Sequence, residues 1–152
     1  MEIIRGYKTE LDLHKKQRTL CLQHAGCARY AYNWGLARKQ AAYAARKAAA
    51  DPKSVKIPTA IDLHKELNSL KQSDFPWMYH SSKCAPQEAL RDLDTAFSNF
   101  FAKRAKYPKF KKRSKGIGSF TLTGHIHVGP DWIYLPNIGK VRLFEHGYLP
   151  QD

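Results

Sequence analysis

At 152 residues and 43% hydrophobic content, with 26 Lys and Arg against 13 Asp and Glu, the chain is long enough for one core or two small ones and lacks the low-complexity composition of a disordered segment. No stretch approaches the apolar length of a membrane span, the N-terminal MEIIRGYKTELD has no apolar signal core, and Cys21, Cys27 and Cys84 are too irregularly spaced for a disulfide framework or a zinc site. These exclusions predict a cytoplasmic, nucleoid-associated protein with reduced thiols and no membrane partner, and the net charge of +13 points to a polyanion.

In chain order, Ile3 to Leu11 alternates apolar residues with charges and predicts one strand. A helix follows over Gln17 to Ala25, then a hinge at Gly26, a residue small enough to let two helices approach closely. A second helix runs from Cys27 to Ala50, with Cys27, Tyr30, Ala31, Trp34, Ala37, Arg38 and Ala41 on one face at the helical period. Asp51-Pro52 stops it, and Thr59 to Asp62 opens a further helix, to about Leu70, with a capping box. Ser73 to Tyr79 reads as a loop. Ser81 or Ser82 caps the next helix, Pro86 falls in its first turn, and Leu90, Leu93, Phe97, Phe100 and Phe101 form its apolar stripe.

That helix runs into a block of one sign. Eight of the thirteen residues from Lys103 to Lys115 are Lys or Arg and none is acidic, so this segment alone holds eight of the thirteen net positive charges. Tyr107 and Phe110 lie among the cations and Phe120 follows, a mixture suited to a phosphate backbone with bases beside it; the plainer alternative is a solvated tether. After Gly116 the texture changes to short clusters, Phe120 to Thr123, Ile126 to Val128, Trp132 to Leu135 and Lys140 to Leu143, separated by Gly and Pro. Each is too short to stand alone. Pairing them with Ile3 to Leu11 gives an α+β protein: a β-domain split in sequence, with a helical module inserted after its first strand.

Several phrases resemble the N-terminal half of the TnpB (OrfB) family of transposon-encoded, RNA-guided DNA endonucleases. They are YKTEL, GCARYAYNWGLA (Gly26 to Ala37), QEALRDLDTAFSNFF (Gln87 to Phe101), YPKFKKR (Tyr107 to Arg113), Ser119-Phe120 and LPNIGKVRL (Leu135 to Leu143). Each is weak singly; six in order are specific. The resemblance implies a wedge-type β-barrel interrupted by a helical recognition module. The expected division is residues 1–11 as first wedge strand, 12–105 as the helical module, and 106–152 as basic joint and remaining strands. It also implies guide RNA and target DNA as partners. Family members continue into a nuclease domain with three acidic metal ligands and a four-Cys zinc insertion. The chain given stops at Asp152, so that domain is expected to be absent and this chain not to be an enzyme by itself.

The binding residues follow. Lys103, Arg104, Lys106, Lys109, Lys111, Lys112, Arg113 and Lys115 are expected to neutralise phosphates, with Tyr107 and Phe110 stacking on bases or anchoring the run. Lys83 and Gln87 share one face at the start of the Phe-rich helix; Gln suits adenine and Lys guanine, although from the residues alone an ordinary exposed first turn is the better explanation. The resemblance assigns that helix and the wedge to reading a target-adjacent DNA motif, with Thr121 and Thr123 as candidates from the strand side. Arg29 is a weaker DNA candidate, Tyr30 and Trp34 read as core, and Asn33 as a bond to a helix end or loop. His125 and His127 face one side of a strand without further ligands, so no metal is expected. No phosphate-cradling Gly loop, nucleophile elbow or His-Glu-x-x-His occurs, and no cofactor is expected. The alternatives are a stand-alone helix-turn-helix DNA-binding protein, around Gly26, and an inactive basic fragment.

Overall fold

The computed structural model describes residues 1–151. The chain divides into two compact units, one formed by Met1–Leu22 with Leu122–Asp152 and the other by Gln23–Thr121. Among the described residues there are three α-helices, α1 (Lys15–Ala48), α2 (Ala60–Lys71) and α3 (Cys84–Phe101), and four strands, β1 (Leu11–Asp12), β2 (His127–Val128), β3 (Trp132–Leu135) and β4 (Gly139–Leu143). None of the described helices is long and apolar enough to cross a membrane.

The first unit is built on a single antiparallel sheet in the order β1-β4-β3-β2. Alternation sorts its side chains. Val141 and Leu143 are buried, while Lys140 and Arg142, which alternate with them, point outward. The β3–β4 turn needs left-handed backbone, and Asn137 and Gly139 supply it at φ 65 and 94. Between β2 and β3, the Gly129 N–H donates to the Trp132 carbonyl (2.9 Å), and a Cβ on Gly129 would lie 2.2 Å from the Trp132 indole. Glycine is required there because the ring lies against its backbone.

Two expectations for this sheet are corrected. The strand over Ile3 to Leu11 shrinks to Leu11–Asp12, which pair with Leu143 and Arg142. Upstream, Ile3 and Ile4 are exposed, and residues 7–10 keep only scattered contacts. Glu10 accepts from Phe144 N–H, Thr9 Oγ1 donates to Glu145, and Tyr7 meets Tyr148 edge-on. The alternating residues have no opposing ladder, since β4 ends at Leu143 and the chain bends away. Phe120 to Thr123 forms no strand either; the Phe120 ring lies 5.1 Å from that of His24 in the helical unit. The four strands make an open sheet with β1 and β2 at its edges.

In the second unit, Leu36, Leu63, Leu67, Met78, Leu90, Leu93 and Phe97 form the core. Thr59 and Asp62 close the capping box of α2, and the hydrogen bonds from Thr59 backbone and side chain hold the Asp62 carboxyl below its usual range. Ser82 Oγ accepts from Cys84 N–H at the start of α3. The stretch read as a loop holds a 3₁₀ turn, Pro76–His80, pinned by buried Met78 and Phe75. Lys39 is buried on α1. Its ammonium reaches Asp94 on α3 at 2.7 Å and donates to the Pro58 carbonyl at 2.8 Å, while Asp94 also accepts from Ala60 N–H at the start of α2. One buried cation thus ties the beginnings or flanks of three helices. All three cysteines are free, and burial pushes the Cys27 thiol up to about 11, which keeps it unreactive.

The hinge at Gly26 is absent: α1 is continuous from Lys15 to Ala48. A Cβ on Gly26 would meet nothing closer than the Arg29 guanidinium at 3.6 Å. Close approach belongs to Gly35 instead, where a Cβ would lie 2.7 Å from Leu90 Cδ2, 3.0 Å from Leu93 Cδ2 and 3.4 Å from Leu63 Cδ1. The two glycines therefore carry opposite signs on substitution. Gly35→Ala should destabilise by about 1–3 kcal/mol through overpacking, and Gly26→Ala should stabilise by about 0.5–1 kcal/mol through helix propensity. Urea unfolding of the two variants measures both; a stabilised Gly35→Ala protein would contradict the packing.

Candidate nucleic-acid interface

The basic segment begins where α3 stops. Lys103 adopts φ 62, and its N–H donates to the Phe100 carbonyl (3.0 Å) while Arg104 N–H donates to that of Asn99 (2.8 Å). This is the paired bonding of a left-handed helix stop, a position that glycine usually fills. Arg104 then folds back, its Nε and Nη2 donating to Asn99 Oδ1 at 3.2 and 3.1 Å. Tyr107 packs edge-on against Phe97 (5.5 Å) and Phe100 (5.1 Å), with Pro108 buried beside it. Tyr107 is thus placed as an anchor.

Further on, Asn33 on α1 holds the segment through its side-chain amide. Its Nδ2 donates to the Lys111 carbonyl at 2.9 Å, and its Oδ1 accepts from the Lys111 N–H at 2.8 Å. The amide imitates a paired strand, satisfying both backbone groups of one residue. One residue earlier on the helix, the Tyr32 ring receives the Lys111 ammonium at 4.3 Å. The segment is a strap tied to the helical unit at Tyr107, Lys111 and Phe120. It belongs to the compact unit Gln23–Thr121.

Beneath the strap lies a cleft of about 650 Å³. Ala25, Ala28 and Arg29 of α1 and Ala85, Ala89 and Asp92 of α3 line one side; Lys109, Phe110, Lys111, Lys112, Lys115 and the stretch Gly118 to Thr121 line the other. Small alanines leave the space open. Five cations face a single carboxylate, so the potential in the cleft favours an anion. Burial, helped by the Asp92 carboxylate, pushes the pKa of the Tyr32 hydroxyl up.

The expected site residues separate into groups. Lys103, Lys106, Lys109, Lys112, Arg113 and Lys115 are exposed and form no ion pair among the described residues, whereas Lys111 and Arg104 are engaged internally. Phe110 is exposed and lines the cleft, as does Thr121; Thr123 belongs to the sheet unit. Lys83 is exposed just before α3 and Gln87 half-buried within it, and neither lines the cleft, which takes Ala85, Ala89 and Asp92 from that helix. His125 and His127 stack at 6.5 Å, and no group of three metal-ligating side chains occurs among the described residues. Sequence reasoning gave Arg29 little weight and missed Asp92 in the cleft, and it could not pair Asn33 with Lys111 across 78 positions.

Residues 1–48 match the helix-turn-helix domain family of OrfB proteins. In this structure they hold β1 and one unbroken helix with no turn between two helices. The chain is 35% identical over 78% of its length to a protein of Streptomyces pristinaespiralis, and 26% identical over 93% to InsQ of Escherichia coli K12; both bear the name "Putative RNA-guided DNA endonuclease". It covers 27% and 34% of those proteins, about a quarter to a third of their length.

Replacing Asn33 by Ala should free the strap while leaving the core intact, because Asn33 lies outside the buried cluster. Amide exchange at Lys111 should accelerate by about tenfold, the equivalent of one to two lost hydrogen bonds, with α2 and α3 unchanged. Equal exchange in the variant and the parent would show that the amide pairing does not hold the strap.

Proposed function

We propose, from its match to the N-terminal part of the OrfB (TnpB) family, that this chain is a nucleic-acid-binding portion of a transposon protein that grips guide RNA and helps to read target-adjacent DNA. The carrying observation is the strap: six exposed cations, free of acidic partners, on a backbone fixed to α1 by Asn33 and to α3 by Tyr107. A fixed row of cations binds phosphates without first paying the ordering cost of a loose tether. On this reading the sheet unit corresponds to the wedge-type β-barrel and the helical unit to the recognition module. Lys83 and Gln87, which do not line the cleft, remain the proposed readers of the DNA motif, with Thr121 and Thr123.

Binding without cleavage is part of the proposal. Acids central to the helical unit have other work: Asp62 caps α2, Asp94 neutralises Lys39, and Glu66 pairs with Arg38. Asp92 stands as the one acid of the cleft, and two-metal hydrolysis needs several carboxylates on the ions. The unbroken α1 weighs against the stand-alone helix-turn-helix reading, which requires a short turn between two helices.

If the six free cations each meet a phosphate, the log-log salt slope of binding should be about −4 for a single strand and about −5 for a duplex. Competition among transposon-end RNA, a duplex and random RNA separates the readings: preference for the structured RNA supports the proposal, and preference for a duplex operator favours the helix-turn-helix alternative. Gln87→Ala should relax DNA motif choice without changing the slope. Specific cuts in target DNA, after incubation with RNA and Mg²⁺, would overturn the assignment of binding alone.

A further inference from the structure

The sheet unit carries a second surface that the strap does not explain. The antiparallel register places Tyr134 opposite both His127 and Lys140, and Trp132 opposite Arg142. These five side chains share one face of the sheet by strand alternation, while Ile133, Val141 and Leu143 occupy the other. The face is aromatic and wet at once. His125 and His127 stack at 6.5 Å with their planes 19° apart, His127 lies 6.4 Å from Tyr134, and Tyr134 remains 41% exposed.

Beside this row the Lys140 ammonium sits 4.3 Å above the Trp132 ring, and His127, Trp132, Tyr134 and Lys140 enclose a shallow open groove of about 310 Å³. Trp132 is fixed there by Gly129, whose missing side chain makes room for the indole. A face whose only role was to be solvated would not need three ring systems in sequence held by a glycine-dependent turn. An apolar partner, equally, would not suit Lys140 and Arg142 on the same surface.

We propose that this face binds one or two unpaired nucleobases of a single-stranded nucleic acid. The rings of His127 and Tyr134 supply the stacking surface, and Lys140 and Arg142 meet the phosphates that flank the bases. Ring faces stack with any base, so the site discriminates paired from unpaired strands and not one sequence from another. A duplex keeps its bases stacked on each other and cannot offer them to a flat sheet. The site is distinct from the strap, which engages backbone in either form.

The test compares affinities of the full chain for an unstructured oligouridine, the same strand with abasic positions, and a duplex of equal length, each read by fluorescence anisotropy. The parent should prefer the base-bearing strand over the abasic one by about fivefold or more, the lower end for one stacked base. His127→Ala with Tyr134→Ala should reduce that ratio while leaving duplex affinity unchanged; Tyr134→Phe, which keeps the ring, should preserve it. An unchanged ratio in the double alanine variant would overturn the proposal, as would a parent that binds abasic and base-bearing strands alike. Loss of duplex binding in a strap variant, with the ratio retained, would separate this site from the strap.

Discussion

Everything in the helical unit depends on how near α1 comes to its neighbours at Gly35. With no side chain there, Leu90 and Leu93 of α3 and Leu63 of α2 reach the backbone of α1 itself. Toward the N-terminal end of this contact, the small side chains of Ala25, Ala28, Ala85 and Ala89 line the open cleft. Asn33 lies two residues before Gly35, and its height above the core follows from the same geometry. The strap is held where it is because α1 is held where it is.

Charge follows packing in this arrangement. The thirteen-residue block would be a flexible polycation if left to itself, and self-repulsion would extend it. Aromatic contacts and one side-chain amide overcome that tendency: Tyr107 on Phe97 and Phe100, Phe120 on His24, and the two Asn33 bonds at Lys111. Lys111 even turns its ammonium onto the Tyr32 ring. The six side chains of the strap that form no ion pair among the described residues, Lys103, Lys106, Lys109, Lys112, Arg113 and Lys115, are all exposed. A helix stop made with Lys103 where glycine is usual keeps one of them at the start of the strap.

How much of this could be read from the chain depended on the range of the interaction. Local signals were legible: the Thr59–Asp62 capping box, the apolar stripe of α3 at Leu90, Leu93 and Phe97 (though not at Phe101, which is exposed), β3 at Trp132–Leu135 and β4 within a residue of Lys140 to Leu143 all rest on spacings of a few residues. Choices made by distant partners were not. Gly26 and Gly35 look alike in sequence, and only the leucines of α2 and α3 decide which one must be glycine. Phe120 has strand-forming neighbours, yet it is drawn to His24, and the alternation of Ile3 to Leu11 has no ladder to meet beyond Leu11. The one-sign charge of the strap could be read from the chain; that Asn33, 78 positions earlier, would fasten it is a tertiary fact.

The central claim is that nucleic acid meets a strap already fixed over the α1–α3 cleft. Photocrosslinking of transposon-end RNA to the full chain, with the attached peptides identified by mass spectrometry, tests it most directly. Crosslinks should concentrate at residues 109–115 and at Arg29, the two sides of the cleft, and should weaken when Asn33 is replaced by Ala. Crosslinks confined to the exposed lysines elsewhere on the helical unit, such as Lys47, Lys53 and Lys65, with none on the strap, would contradict it.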